Sequence, residues 1–154
     1  MREQRRARRI AMTAEERDEH LRTARTCRVA TLGHDGAPHV SPLWFVWDGT
    51  AMWLTSIVKS QRWTNLQRDP RVSAIVDGGD GYGELHGVEL IGAVAFVGEA
   101  PRTAQANPEL SEPERLFAEK YSGGVWVADD RHAWVRLVPD KIVSWDFRKL
   151  PSAR

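Results

Sequence analysis

Three strand-like runs, CRVATL, PHVSPLWFVW and AMWLTS, follow one another with only Gly33-His34-Asp35-Gly36 and Asp48-Gly49 between them. Connections this short reverse the chain and leave no room for a crossover helix, so the runs pair antiparallel as a meander and not as a βαβ unit. A helix from Thr13 to about Arg25 precedes them. Beyond them, Trp53 to Val76 reads as strand, basic polar loop, short helix over Ser60–Gln67, an Asp69-Pro70 stop and a further strand, RVSAIVD. VELIGAVAFVGE is a long strand in which Gly92 marks a bulge or a close backbone approach. From Ala100 to Pro113 the composition turns to Pro, Ala, Asn and Glu, a surface loop before a helix over Pro113–Tyr121, with Ser111 and Glu114 as its capping box. The last runs, AWVRLVP and KIVSWDF, read as a hairpin across Pro139-Asp140. The expected fold is mainly β (α+β), a small barrel of six or seven antiparallel strands with two or three short helices.

One domain is expected, because 154 residues suit a single core, and 42% hydrophobic with 28% charged residues is ordinary for a globular chain. With 22 basic and 21 acidic residues the formal charge is +1, which gives no general reason to expect nucleic-acid or membrane partners. A lone Cys27 excludes an internal disulfide, and no apolar run approaches the ~20 residues that span a bilayer. A cytoplasmic location is expected. Arg2, Arg5, Arg6, Arg8 and Arg9 form a basic arm without the apolar stretch of a secretory signal. Residues 1–12 are read as a disordered arm and 13–154 as the folded domain. Met12, followed by the capping box Thr13-Ala14-Glu15-Glu16, resembles an alternative start.

The chemistry concentrates in the loop after the third strand. Thr55 and Ser56 bring hydroxyls to a strand end, Lys59 and Arg62 bring cations, Gln61 adds an amide, and Ser60 can cap a helix whose free N–H groups attract anions. From spacing alone the loop is either a phosphate clamp or a solvated crossover with two surface cations. Gly78-Gly79-Asp80-Gly81-Tyr82-Gly83 lacks the strand and helix context of a dinucleotide fingerprint and reads as a loop. The five histidines, His20, His34, His39, His86 and His132, have no metal-ligand spacing and read as surface or turn residues, and Cys27 reads as a packed thiol. Of seven tryptophans, Trp47, Trp53 and Trp134 are assigned to core or dimer packing, while Trp44 and Trp145 are candidates to face a ring ligand.

Several pieces, in this order, resemble the pyridoxamine-phosphate-oxidase-like split-barrel superfamily: Ala30-Thr31-Leu32, Asp35-Gly36, Pro38-His39-Val40-Ser41-Pro42, Ser60-Gln61-Arg62 and Asn65-Leu66-Gln67-Arg68-Asp69-Pro70-Arg71-Val72. The closing Ser144-Trp145-Asp146-Phe147-Arg148-Lys149-Leu150 is similar to that group's last strand, so the resemblance runs from about Cys27 to Leu150. It implies a split-barrel homodimer with two equivalent cofactor sites between the subunits. It also implies that the strand of Ser41, Pro42 and Trp44 flanks a flavin-type ring, and that Trp145 and Arg148 reach the site at the dimer interface.

The Lys59–Leu66 loop and the closing segment look most like the deazaflavin-dependent reductase branch, which uses coenzyme F-420; FMN is the alternative cofactor. The Arg-x-His element expected of the oxidases proper has only Arg131-His132 in its place. The resemblance therefore implies an oxidoreductase that transfers a hydride from a deazaflavin to a small unsaturated, quinone-like or tetrapyrrole acceptor. An FMN-dependent oxidoreductase and a non-catalytic flavin or deazaflavin carrier are the alternatives. Lys59 and Arg62 would hold the coenzyme's phosphate or acidic tail, Thr55, Ser56, Ser60 and Gln61 would donate hydrogen bonds, and Trp44 would border the ring. No catalytic residue is identified.

Overall fold

The computed structural model describes residues 1–151. Six strands, β1 (Thr26–Leu32), β2 (Pro38–Trp47), β3 (Met52–Ile57), β4 (Arg71–Gly78), β5 (His86–Val97) and β6 (His132–Asp146), close in the order β1-β2-β3-β6-β5-β4. Every neighbouring pair is antiparallel. Three helices, α1 (Ala14–Thr23), α2 (Gln61–Arg68) and α3 (Pro108–Tyr121), complete the split β-barrel. The two short turns make the expected β1–β2 and β2–β3 hairpins; Gly36 and Gly49 have φ of 80° and 96°, the conformation for which glycine is suited.

Alternation fills the barrel. Cys27, Val29, Phe45, Met52, Leu54, Ala74, Val76, Val88, Leu90, Val135 and Leu137 point inward, and α2 closes one end with Trp63 and Leu66. Trp53 and Trp134 point outward from β3 and β6 into a second apolar cluster with Leu110 of α3. Trp47, Trp53 and Trp134 are thus core residues.

Two boundaries differ from expectation. The last two runs form one 15-residue strand, not a hairpin. Ile91 faces Lys141 while Gly92 faces Pro139, so Asp140 is an extra residue bulged out opposite Gly92. Inward positions on β6 accordingly change from 133, 135 and 137 to 142, 144 and 146. A bulge switches sides without reversing the chain, and a proline's missing donor is tolerated there. Helix α3 starts at Pro108, capped by Asn107, and Pro113 lies inside it. Glu114, expected in a capping box, instead binds Arg102.

The basic arm has defined contacts where disorder is expected. β3 pairs with β6 only as far as Leu137, which leaves the far half of β6 with an open edge. The arm covers it: Arg2 N–H donates to Asp140 O at 2.7 Å, and the Gln4 amide both donates to Ser144 O and accepts from its N–H, each at 3.0 Å. Met12 is buried, and its N–H reaches Ser144 Oγ at 3.0 Å. Among the described residues no helix is long and apolar enough to cross a membrane.

Candidate functional site

Strands β2 and β3 pair over only three positions, Phe45–Leu54, Val46–Trp53 and Trp47–Met52, and then diverge. The gap is filled from the first turn of α2 by Arg62. Its Nε donates to Ser56 Oγ at 3.1 Å and its Nη1 to Ser41 Oγ at 2.5 Å, so one guanidinium ties the separated strands together. Ser60 caps α2 by accepting from Trp63 N–H at 3.2 Å, and its hydroxyl lies 3.4 Å from that of Ser56.

Arg62 is only 7% exposed and, among the described residues, has no carboxylate partner. Burial lowers its pKa, yet a guanidinium stays charged in a protein. A buried charge held only by neutral hydroxyls is costly, and an arriving anion would relieve that cost.

Arg62 borders a cleft of about 480 Å³. It is lined by Pro42, Leu43 and Trp44 of β2, Thr55 and Ile57 of β3, Trp134 of β6, Phe117 of α3, and Trp126 and Val127 of the loop that follows α3. Trp44 stacks on Tyr121, with ring centroids 4.3 Å apart and planes 8° from parallel, yet stays 48% exposed. One indole face is backed by the protein, which leaves an aromatic surface open to a flat ligand.

Arg102 also lines the cleft, but its charge is satisfied. Its Nε donates to Glu114 at 2.6 Å and its Nη1 to Glu99 at 2.8 Å, and the Glu114 hydrogen bond raises its pKa. Its guanidinium carbon lies 5.5 Å from the Trp126 ring centroid, so Arg102 props the loop that brings Trp126 over the cleft.

Asp129 and His132 complete the rim, their carboxylate and Nδ1 2.5 Å apart. Asp129 Oδ1 also accepts from the N–H groups of Arg131 and His132 at 2.9 Å. Burial raises the Asp129 pKa, but the His132 and Arg131 N–H groups and the His132 ring outweigh it and hold the carboxyl below its ordinary value.

Of the residues expected at a site, Pro42, Trp44, Thr55 and Arg62 meet in this cleft. Ser41, Ser56 and Ser60 stand behind it, where they hold Arg62 and α2. Lys59 is exposed in the turn before α2, and Gln61 turns aside to donate to Asn65 at 2.8 Å; neither lines the cleft. Trp145 and Arg148 lie at the opposite end of β6 from His132, where Trp145 covers Gly87 and Arg148 pairs with Asp146 at 2.8 Å. Within one protomer they do not join the cleft. Arg102, Phe117, Trp126 and Asp129 carry no local sequence signal for a site, and His132 has only the Arg131-His132 pair; the nearest further clue is the apolar run Val125-Trp126-Val127 just after Gly123-Gly124. Cys27 is a packed thiol, with its pKa pushed up to about 12 by burial.

A six-stranded antiparallel split barrel, with an aromatic-walled cleft bordered by Arg62 where two strands separate, defines the class of fold. The family model described as pyridoxamine 5'-phosphate oxidase matches residues 13–146, and the chain belongs to that family. Among solved structures it is similar to the conserved hypothetical protein Rv2991 from Mycobacterium tuberculosis, with 33% identity, a TM-score of 0.79, and coverage of 98% of this chain and 96% of that one. It shares the fold of an F-420 reductase (23% identity, TM-score 0.61, covering 81% of this chain and 94% of that one). It also shares the fold of an FAD-binding protein from Mesorhizobium loti (21% identity, TM-score 0.64, covering 87% and 93%). No curated protein matches the chain.

Proposed function

We propose that the protein is a deazaflavin-dependent oxidoreductase that uses coenzyme F-420 to reduce a small unsaturated, quinone-like or tetrapyrrole acceptor. The observation that carries this reading is Arg62, a buried guanidinium that has no carboxylate partner among the described residues and borders an aromatic cleft. The residues present fit such a coenzyme: Arg62 would hold an anionic group of it, Thr55 would add a hydroxyl, and Trp44 would border the ring. When bound, the deazaflavin ring supplies the hydride, and the protein's part is to bind, orient and exclude water. The preference for a deazaflavin over FMN rests on the Lys59–Leu66 and Ser144–Leu150 segments.

We further propose a second copy of this chain as partner. Val40 and Ala30, Pro42 and Ile75, and Ile91, Val143 and Trp145 lie on one outer face of the sheet, where they are exposed or half-buried. A two-fold contact through that face would carry the partner's closing strand toward the Pro42 side of the cleft.

A titration comparing coenzyme F-420 with FMN tests the reading. Arg62→Gln should weaken coenzyme binding tenfold or more, since a charge-assisted contact is worth roughly 1.5–3 kcal/mol and ~1.4 kcal/mol is one decade. Lys59→Ala should cost less, because Lys59 stands outside the cleft. Tighter binding of FMN would move the assignment to the flavin alternative. Tight binding with no turnover against quinone, enone or tetrapyrrole acceptors would favour a carrier. Wild-type affinity in a folded Arg62→Gln protein would remove the anion site.

A further inference from the structure

We propose that His132, oriented by Asp129, is the group that delivers the proton of the reduction. The inference rests on the reading of the cleft as a redox-coenzyme site. A hydride supplies two electrons and one proton's worth of hydrogen, so reduction of a double bond leaves one more proton to be found. Thr55 lines the cleft, but a neutral hydroxyl is a poor acid. Arg62 and Arg102 are guanidinium groups that keep their protons. Asp129 is held ionised by the N–H groups around it. His132 is left, and an imidazolium can give up a ring proton to an acceptor and take one back from solvent.

Its geometry assigns separate tasks to the two ring nitrogens. Nδ1 faces Asp129 Oδ2 at 2.5 Å, and the ring lines the cleft, so Nε2 is the nitrogen free to meet an acceptor. The pair is also fixed in place. Asp129 Oδ1 holds the backbone of Arg131 and His132, His132 O accepts from Arg102 N–H at 2.8 Å, and β6 begins at His132, opposite Ile57 of β3. The charged groups on the surrounding segments are Asp129, Asp130 and Arg131 beside it, Lys59 on the β3–α2 turn, Arg62 on α2, and Arg102 on the β5–α3 connection with its partners Glu99 and Glu114.

The step balances as follows. The acceptor takes up a hydride at one atom of its double bond, from the reduced ring coenzyme. The displaced π pair moves to the other atom and takes the Nε2 proton of the His132 imidazolium. A neutral imidazole remains, its Nδ1–H still donated to Asp129, and solvent restores the Nε2 proton. A positioned acid of this kind is worth about 10²–10⁴-fold in rate.

The dyad predicts a tautomer as well as a rate. In 15N-resolved imidazole spectra of the coenzyme-free protein, neutral His132 should carry its proton on Nδ1, and Asp129→Asn should shift the balance toward Nε2. Asparagine keeps an oxygen for the two backbone N–H groups, so the loop should persist. His132→Asn should lower kcat roughly 100-fold or more, with coenzyme Kd within about twofold of wild type and partial rescue by added imidazole. An Nε2-protonated neutral His132 in the wild type, or an unchanged kcat in His132→Asn, overturns the proposal while the coenzyme site stands. Failure of the wild type to bind any deazaflavin or flavin overturns the coenzyme reading, and this inference with it.

Discussion

Arg62 and Lys120 are both cations withdrawn from water without a carboxylate partner among the described residues, and their chemistry separates them. Arg62 cannot shed its charge, whereas an ammonium can. Lys120 Nζ lies 3.3 Å from Phe45 O and 4.1 Å from the Phe45 ring centroid, and burial brings its pKa down to about 8 from the ordinary 10.5. Between those two values the unfolded chain holds a proton on Lys120 that the folded chain has released, so stability rises with pH across the window. Below about pH 8 both states are protonated, and the folded state carries the full cost of a half-buried ammonium. Lys120→Met should therefore be more favourable relative to wild type at pH 7 than at pH 10, as read from urea midpoints. A gap independent of pH would mean that the carbonyl and ring contacts already offset the burial. At this scale the site was half legible. In sequence, Lys59 and Arg62 are equivalent cations flanking a helix start. Only the fold shows that the first turn of α2 carries Arg62 between Ser41 and Ser56, a pairing that spans β2 and β3. Asp129 and His132 sit three residues apart where a loop enters β6, and their value comes from the β2, β3 and α2 residues that line the same cleft, which no local spacing encodes.

At the scale of elements, the open edge of β6 explains why the arm is ordered although its composition is that of a solvated tail. Backbone groups that have lost their ladder need other donors and acceptors. Arg2 and Gln4 supply them at Asp140 and Ser144. A chain starting at Met12 loses these three contacts and bares the edge. At about 1 kcal/mol per hydrogen bond, and roughly 2–4 °C per kcal/mol for a domain of this size, its Tm should fall by about 5 °C or more. An unchanged melting curve would show that the contacts add nothing. The same kind of accounting explains which elements could be read beforehand. Hairpins signalled by Asp-Gly and Gly-x-x-Gly, and the Ser60-capped helix, are set by neighbouring residues, and they formed where expected. Pro139-Asp140 suits a turn and a bulge alike, so the sequence points to a hairpin there, and only the pairing of Ile91 and Gly92 with β6 decides for the bulge. Because proline disrupts helix interiors, the sequence places a helix start at Pro113; the earlier Asn107-Pro108 cap and the burial of Pro113 outweigh that preference.

For the whole molecule, the question is what lies against the outer face of the sheet. Val40, 67% exposed, and Trp44 stand on a β2 stretch that β3 leaves unpaired, and the rows beside them add Ala30, Ile75, Ile91 and Val143. Polar and charged groups interrupt the rows, Arg28 with Asp77 at 2.7 Å and Ser73 with Glu89 at 2.6 Å, a mixture suited to a specific interface. Trp145 belongs to the same face, its ring pressed so close over Gly87 that a Cβ there would lie 2.5 Å from it. That rigid placement presents the indole outward from the sheet, away from its own cleft, where a second subunit could use it. Light scattering at micromolar concentration should therefore report a homodimer. Val40→Glu, at a site exposed in the protomer, should give a folded monomer with coenzyme affinity reduced tenfold or more, if the partner's closing strand completes the site. Arg148→Ala should leave the dimer intact and weaken the coenzyme several-fold, because the guanidinium is half exposed and can exchange Asp146 for a phosphate. A monomeric wild type removes the partner from the site, and so does a monomeric Val40→Glu protein that binds coenzyme as tightly as wild type. Unchanged affinity in Arg148→Ala removes only that guanidinium. With the partner excluded, Arg62, Thr55 and Trp44 would have to hold the coenzyme from one chain alone.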